Sequence, residues 1–175
     1  DIPNTPEAYI DRIGRTGEAN GWEVVQLRHG SFRLELFERE GGEAFRRVFE
    51  DKLSDFHLQT LLWTHDAEQM RMASIVAEPD CAPLVESLSD DDLRRAFFDV
   101  GGHDLVQLIA TLEASKLDPQ RPTLIIAHTI KGRGLSSQAA TGNHSWLPHE
   151  AEVKALLEAE GLSLERPYER FAPDT

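Results

Sequence analysis

Three stretches of this sequence hold residue types that could carry chemistry. The richest is His128-Thr129-Ile130-Lys131-Gly132-Arg133-Gly134, which takes over from an apolar run beginning at Thr123. Lys131 offers a compact positive charge suited to a phosphate oxygen. Gly132 and Gly134 let the backbone come close to a ligand. Further on, Asn143-His144 stands in a Gly-, Ser- and Ala-rich setting, where a histidine could donate to a phosphate or shuttle a proton near neutral pH. The second stretch is Gly101-Gly102-His103-Asp104, equally readable as the end of one helix and the start of the next. The third is Ser89-Asp90-Asp91-Asp92. Three aspartates suggest a magnesium site, but the ordinary reading is a helix start, with Ser as cap and acids against the helix dipole. Lys-Gly-x-Gly after a strand is common, so Lys131 also reads as a solvated surface lysine.

The elements that must position these residues follow from periodicity. Thr5-Pro6-Glu7 opens a helix that runs through Tyr9, Ile10 and Ile13 and stops at Asn20-Gly21. Trp22–Leu27 is rich in strand formers. Phe45, Val48, Phe49, Leu53 and Phe56 recur at helical spacing, and Leu58, Leu61 and Leu62 continue the stripe. Helices are expected near 67–76, ended by Pro79, and from Ser89 to Gly101. Leu105, Leu108, Ile109 and Leu112 mark an amphipathic helix. Pro119 and Pro122 bracket a loop, and the apolar run from Thr123 reads as a strand covered on both faces. Strand, helix, strand implies a right-handed βαβ crossover, with residues 31–100 as a helical insertion. Residues 132–149 have no periodicity and read as a long loop, Glu150–Glu160 as a last helix, and 166–175 as a linker.

Acids outnumber bases, 31 to 18, for a formal net charge of −13, so the basic stripe that nucleic acids require is missing and anionic membranes are disfavoured. The one cysteine, Cys81, excludes an intrachain disulfide and a thiolate zinc cluster, and reads as a packed residue in a reducing cytoplasm. No apolar run approaches the roughly 20 residues that cross a bilayer. The chain starts Asp1-Ile2-Pro3, without Met, which leads us to expect that it begins partway through something longer.

"GWEVVQL", "GGHDLVQLIATLEASK" and "RPTLIIAHTIKGRG" occur in the order seen in the diphosphate-binding domain of transketolase-like thiamine-diphosphate enzymes. In transketolases the strand runs almost directly into Gly-His-Asp, whereas here residues 29–100 intervene. That insertion, with "GGHD" and "AHTIKGRG", resembles the homodimeric pyruvate dehydrogenase E1 type. "LPHEAEVKALLEAEGL" and "PYERFAP" are similar to that family's exit toward its second domain.

The resemblance implies an α/β fold, part of a doubly wound parallel sheet, with 1–175 as the C-terminal part of the diphosphate-binding domain and 166–175 leading to a missing second domain. It implies thiamine diphosphate and Mg2+ as cofactors, decarboxylation of a 2-oxo acid such as pyruvate, and transfer of the acyl unit to a lipoyl E2 component. It also implies a homodimer and the remainder of the E1 subunit as partners, in the cytoplasm. Lys131, Gly132, His128, His103 and Asp104 map near the cofactor. His144 maps to a mobile loop, 132–149, that closes over the active centre, with a catalytic role. The family's Gly-Asp-Gly…Asn metal motif is absent, so the metal ligands are expected outside this chain, and the segment alone is expected to be inactive. In the family's loop, Asn and His are spaced by two residues; here Asn143 and His144 are adjacent. Transketolase-like ketol transfer and a non-catalytic scaffold are the alternative readings.

Overall fold

A computed structural model describes residues 9–117, 120–159 and 161–165. The expected caps at Thr5-Pro6-Glu7, Pro119 and the linker 166–175 lie outside the described residues. Two units emerge, 1–130 and 131–175.

In the first unit, helix α1 (Tyr9–Ala19) leads into strand β1 (Glu23–Leu27). The turn between them needs a left-handed residue, which Gly21 supplies at φ 79°. Strand β2 (Thr123–Ala127) pairs with β1 in parallel, Glu23 opposite Thr123 and Leu27 opposite Ala127. The parallel neighbours expected from the sequence are therefore present, and the fold is mixed α/β. Successive strand residues face opposite sides. A Cβ at Gly17 of α1 would lie 3.0 Å from Val24 and 3.1 Å from Leu124, so α1 sits hard against that face. Val25 faces the other side and shares a shallow cleft with Ala110, Thr111 and Ala114 of α8 (Leu105–Ala114). The apolar run of β2 is only half-buried, not covered on both faces as expected. Among the described residues the sheet has two strands, and one helix per face does not enclose them.

The main core lies elsewhere, in the helices between β1 and α8. These are α2 (Ser31–Phe37), α3 (Gly42–Arg47), a π-helical turn (Val48–Lys52), α4 (Asp55–Thr64), α5 (Ala67–Ala77), α6 (Ala82–Ser87) and α7 (Asp90–Phe98). Leu36, Phe37, Phe45, Val48, Phe49, Met70, Val85, Leu93 and Phe97 form one buried cluster. Cys81 is buried within it, as the sequence suggested. Phe49 stacks edge-on against Phe45 and Phe97, each at 5.0 Å, an arrangement aromatic quadrupoles favour.

The phenylalanine stripe is a correction. It is not one helix: Leu53 is extended (φ −89°, ψ 130°), and Ser54 caps a new helix by accepting from the His57 N–H. The π turn adds a residue and the break resets the phase, so Phe45 and Phe49 point inward while Phe56 is 55% exposed. The Asp90-Asp91-Asp92 run is the helix start it resembles. Ser89 accepts from the Asp92 N–H, Arg71 pairs with Asp90 and Arg94 with Asp91.

The second unit holds the loop after Ile130 and α9 (Glu150–Ala159), whose end is marked by Gly161 at φ 66°. Among the described residues no helix is long and apolar enough to cross a membrane.

Candidate functional site

In parallel sheets, ligands gather at the carboxyl ends of strands. Here that end is roofed by Gly101-Gly102-His103-Asp104. The Gly101 N–H reaches toward the Arg28 carbonyl beyond β1 (3.4 Å), and the Gly102 N–H donates to the His128 carbonyl beyond β2 (2.9 Å). One turn thus spans both strand ends. The glycines are there for closeness: a Cβ on Gly101 would stand 2.6 Å from the Leu27 carbonyl carbon, and one on Gly102 would stand 2.3 Å from the His128 oxygen.

The two polar residues of the turn are tied into it. His103 Nε2 accepts from the Ile130 N–H at 2.7 Å, which puts the ring proton of the neutral form on Nδ1. Asp104 caps α8 by accepting from the Val106 and Gln107 N–H groups. Its other oxygen accepts from the Ser31 N–H and hydroxyl and from the Gln107 amide. These bonds, led by the Ser31 hydroxyl, hold the Asp104 carboxyl well below the usual carboxylate range. Asp104 therefore latches the start of α2 to the start of α8. His103, Asp104 and half-buried His128 are thus brought to the strand ends as one group.

Lys131 and His144 belong to the second unit, and both are exposed. Among the described residues no carboxylate pairs with Lys131. The loop is a succession of turns, Gly132 and Gly134 taking left-handed φ of 75° and 84°. Asn143 staples it: its amide donates to the carbonyls of Lys131 (3.0 Å) and Ser137 (2.9 Å). A Cβ on Gly132 would meet that same amide at 3.3 Å. The Glu152 carboxylate accepts from the Ser136 N–H, which lowers its proton affinity and ties the loop to α9. The sequence drew attention to His144 beside Asn143; the structure gives the internal bonds to Asn143.

Sequence reasoning missed a second polar group at the end of β1. Buried Arg33 donates to the Ala96 and Phe97 carbonyls (2.7 and 2.8 Å) and to His29 Nδ1 (3.0 Å). A guanidinium can only donate, so His29 carries its proton on Nε2, which donates to Glu50 Oε1 at 2.7 Å. Burial first, then the Arg33 charge, pushes His29 down to about 2, so this contact is a hydrogen bond from a neutral ring and not an ion pair. Burial also raises the Glu50 carboxyl above its ordinary value. Asp99 accepts from the Arg33 N–H at 2.8 Å and fixes the start of α2. The one signal in the sequence was His29-Gly30-Ser31 directly after a strand.

The residues present meet a thiamine diphosphate site in part. A lysine with no carboxylate partner among the described residues, at the head of a glycine-bearing loop, suits diphosphate oxygens. A divalent metal is not served: among the described residues no three His, Cys, Asp or Glu side chains converge to hold one.

A parallel strand pair bridged by a helical block and closed by a Gly-Gly-His-Asp turn is the class defined here, and the chain is related to a segment of the pyruvate dehydrogenase E1 component. The relatives bearing that name include those of Corynebacterium glutamicum (32% identical over 115 residues, 66% of this chain and 12% of the relative) and Cupriavidus necator (32% over 137 residues, 78% and 15%). The Escherichia coli relative is 28% identical over 135 residues, 77% of this chain and 15% of its own length. The chain thus spans well under a fifth of the curated relatives it matches. No family model matches it.

Proposed function

We propose that this chain serves as the C-terminal part of the diphosphate-binding domain of a thiamine-diphosphate-dependent E1 subunit acting on pyruvate in the cytoplasm. The supporting observation is the Gly-Gly-His-Asp turn spanning two parallel strand ends, in a sequence related to E1 components. In this reading further strands complete a doubly wound sheet, residues 31–100 are an insertion, and residues 166–175 lead to the second domain. The two strands each have an open edge among the described residues, which suits that completion.

Lys131 would neutralise the cofactor diphosphate, with Gly132 allowing close backbone approach. His103 and Asp104 would shape the turn at the strand ends and His128 would border the cofactor. The bound cofactor would supply the carbanion-forming carbon, with Mg2+ ligands from outside this chain. The loop 132–149 would close on binding and exclude water, carrying His144 to assist acyl transfer to lipoyl E2. A second E1 subunit would complete each site.

The test is cofactor titration and turnover in the intact E1 subunit containing this chain. Lys131→Ala should weaken thiamine diphosphate binding by about 1.5–3 kcal/mol, the range for a charged hydrogen bond. His144→Ala should lower turnover more than affinity. Unchanged affinity in the first variant together with unchanged turnover in the second removes the site and leaves a scaffold.

A further inference from the structure

The polar group at the end of β1 opens into a cleft of about 440 Å³, within the size range of small-molecule sites. Its walls include Arg28, His29, Leu34, Arg46, Glu50 and Gln107. None of these is among the residues assigned to the diphosphate. Three observations distinguish the cleft from an accidental hollow. First, it rests on a chain of polar groups, from buried Arg33 and His29 to half-buried Glu50, whose desolvation is costly unless every member is held, and each is. Second, Glu50 stands in the π-helical turn Val48–Lys52, a conformation frequent at functional sites. Third, the Arg28 and Arg46 charges both bear on the Glu50 carboxylate, so the wall of the cleft sets two cations beside one anion.

We infer that this cleft binds a small carboxylate carrying a hydroxyl or ammonium donor on the adjacent carbon. The anionic end is matched by the guanidinium groups of Arg28 and Arg46, which favour planar carboxylates. The donor is matched by Glu50. His29 fixes Glu50 Oε1, leaving Oε2 as an acceptor directed by the same hydrogen bond. Leu34, 40% exposed, gives the wall an apolar contact for a short carbon chain. A simple anion such as acetate satisfies the arginines but leaves Glu50 unpaired and repulsive. The cleft should therefore discriminate by the donor as well as by the charge.

Calorimetric titration of the whole chain with glycolate, glycine, acetate and inorganic phosphate tests it. Saturable binding of glycolate or glycine is expected, about tenfold or more tighter than acetate or phosphate. Arg46→Gln should abolish it, and Glu50→Gln should reduce the preference over acetate. Leu34→Trp fills the cleft from an exposed position without touching the buried chain, so it should also abolish binding while leaving the circular dichroism spectrum unchanged. No saturable binding of glycolate or glycine overturns the inference, as does binding that survives Leu34→Trp or fails to distinguish the four probes.

Discussion

Single residues here act mostly by satisfying other groups. Asp104 accepts from backbone and side chains at the starts of two helices, so Asp104→Ala removes a cap and strands the Ser31 N–H together. A loss of about 1–2 kcal/mol in denaturant unfolding is expected, with Asp104→Asn less affected because its carbonyl still accepts. Equal stability of Asp104→Ala and the parent would contradict the latch. His29 makes a different contribution. Its proton affinity is depressed in the folded protein from the ordinary 6.5 to about 2, so the unfolded chain binds a proton there that the folded chain refuses. Stability from this group is complete above pH 6.5 and declines as pH falls below it, by at most about 1.4 kcal/mol per pH unit. Melting between pH 7 and 5 should show this slope, and His29→Asn, which keeps an acceptor for Arg33 but does not titrate, should flatten it. A slope unchanged in that variant would assign the acid sensitivity to other groups. Neither role was legible in the sequence beyond the cap at Asp104. Glu50 is 21 residues from His29, and nothing local announces that a π turn will bring it back.

At the scale of elements, periodicity was a good guide wherever a cap or glycine agreed with it. The starts at Ser89 and Asp104 and the stop at Gly21 lie where the sequence put them. It misled across Leu53-Ser54, where one apolar stripe passes through three elements. Apolar spacing alone does not register the added residue of a π turn, and Ser54-Asp55 is a cap signal hidden inside that stripe. The consequence is measurable. Phe49 is enclosed by Phe45, Phe97 and the Arg33 guanidinium, 4.0 Å above its ring. Phe49→Ala should cost about 3–5 kcal/mol, whereas Phe56→Ala should stay within about 0.5 kcal/mol. A large loss at Phe56 would mean that something covers it in solution. The Gly-Gly pair was read as the end of the helix from Ser89, but α7 stops at Phe98, Val100 is extended and Gly101-Gly102-His103 is a separate 3-10 turn; that both glycines press against strand carbonyls depends on the tertiary fold and had no sequence signature.

For the molecule as a whole, burial is unevenly shared. The helices between β1 and α8 hold the main aromatic and aliphatic core, while β2 is half-buried and α8 and α9 contain no buried residue. Leu105 and Val106 of α8 are 71% and 76% exposed. Apolar exposure of that kind on a helix beside a two-stranded sheet suits the proposed reading, in which further layers of an E1 subunit pack on it. Local stability should follow the same division, because an amide exchanges through the smallest opening that frees it and that opening is cheap where little apolar surface is buried. Hydrogen exchange should therefore leave α3, α5 and α7 most protected, β1 and β2 intermediate, and α9 nearly unprotected. On the proposed function, the intact E1 subunit should raise protection in α8 and the strands more than in α5 or α7, whose core is already closed. If α9 in the isolated chain exchanged as slowly as α7, burial within this chain would not be what sets its stability. If that subunit left α8 unprotected, its apolar face would not be the packing surface that the proposed function requires.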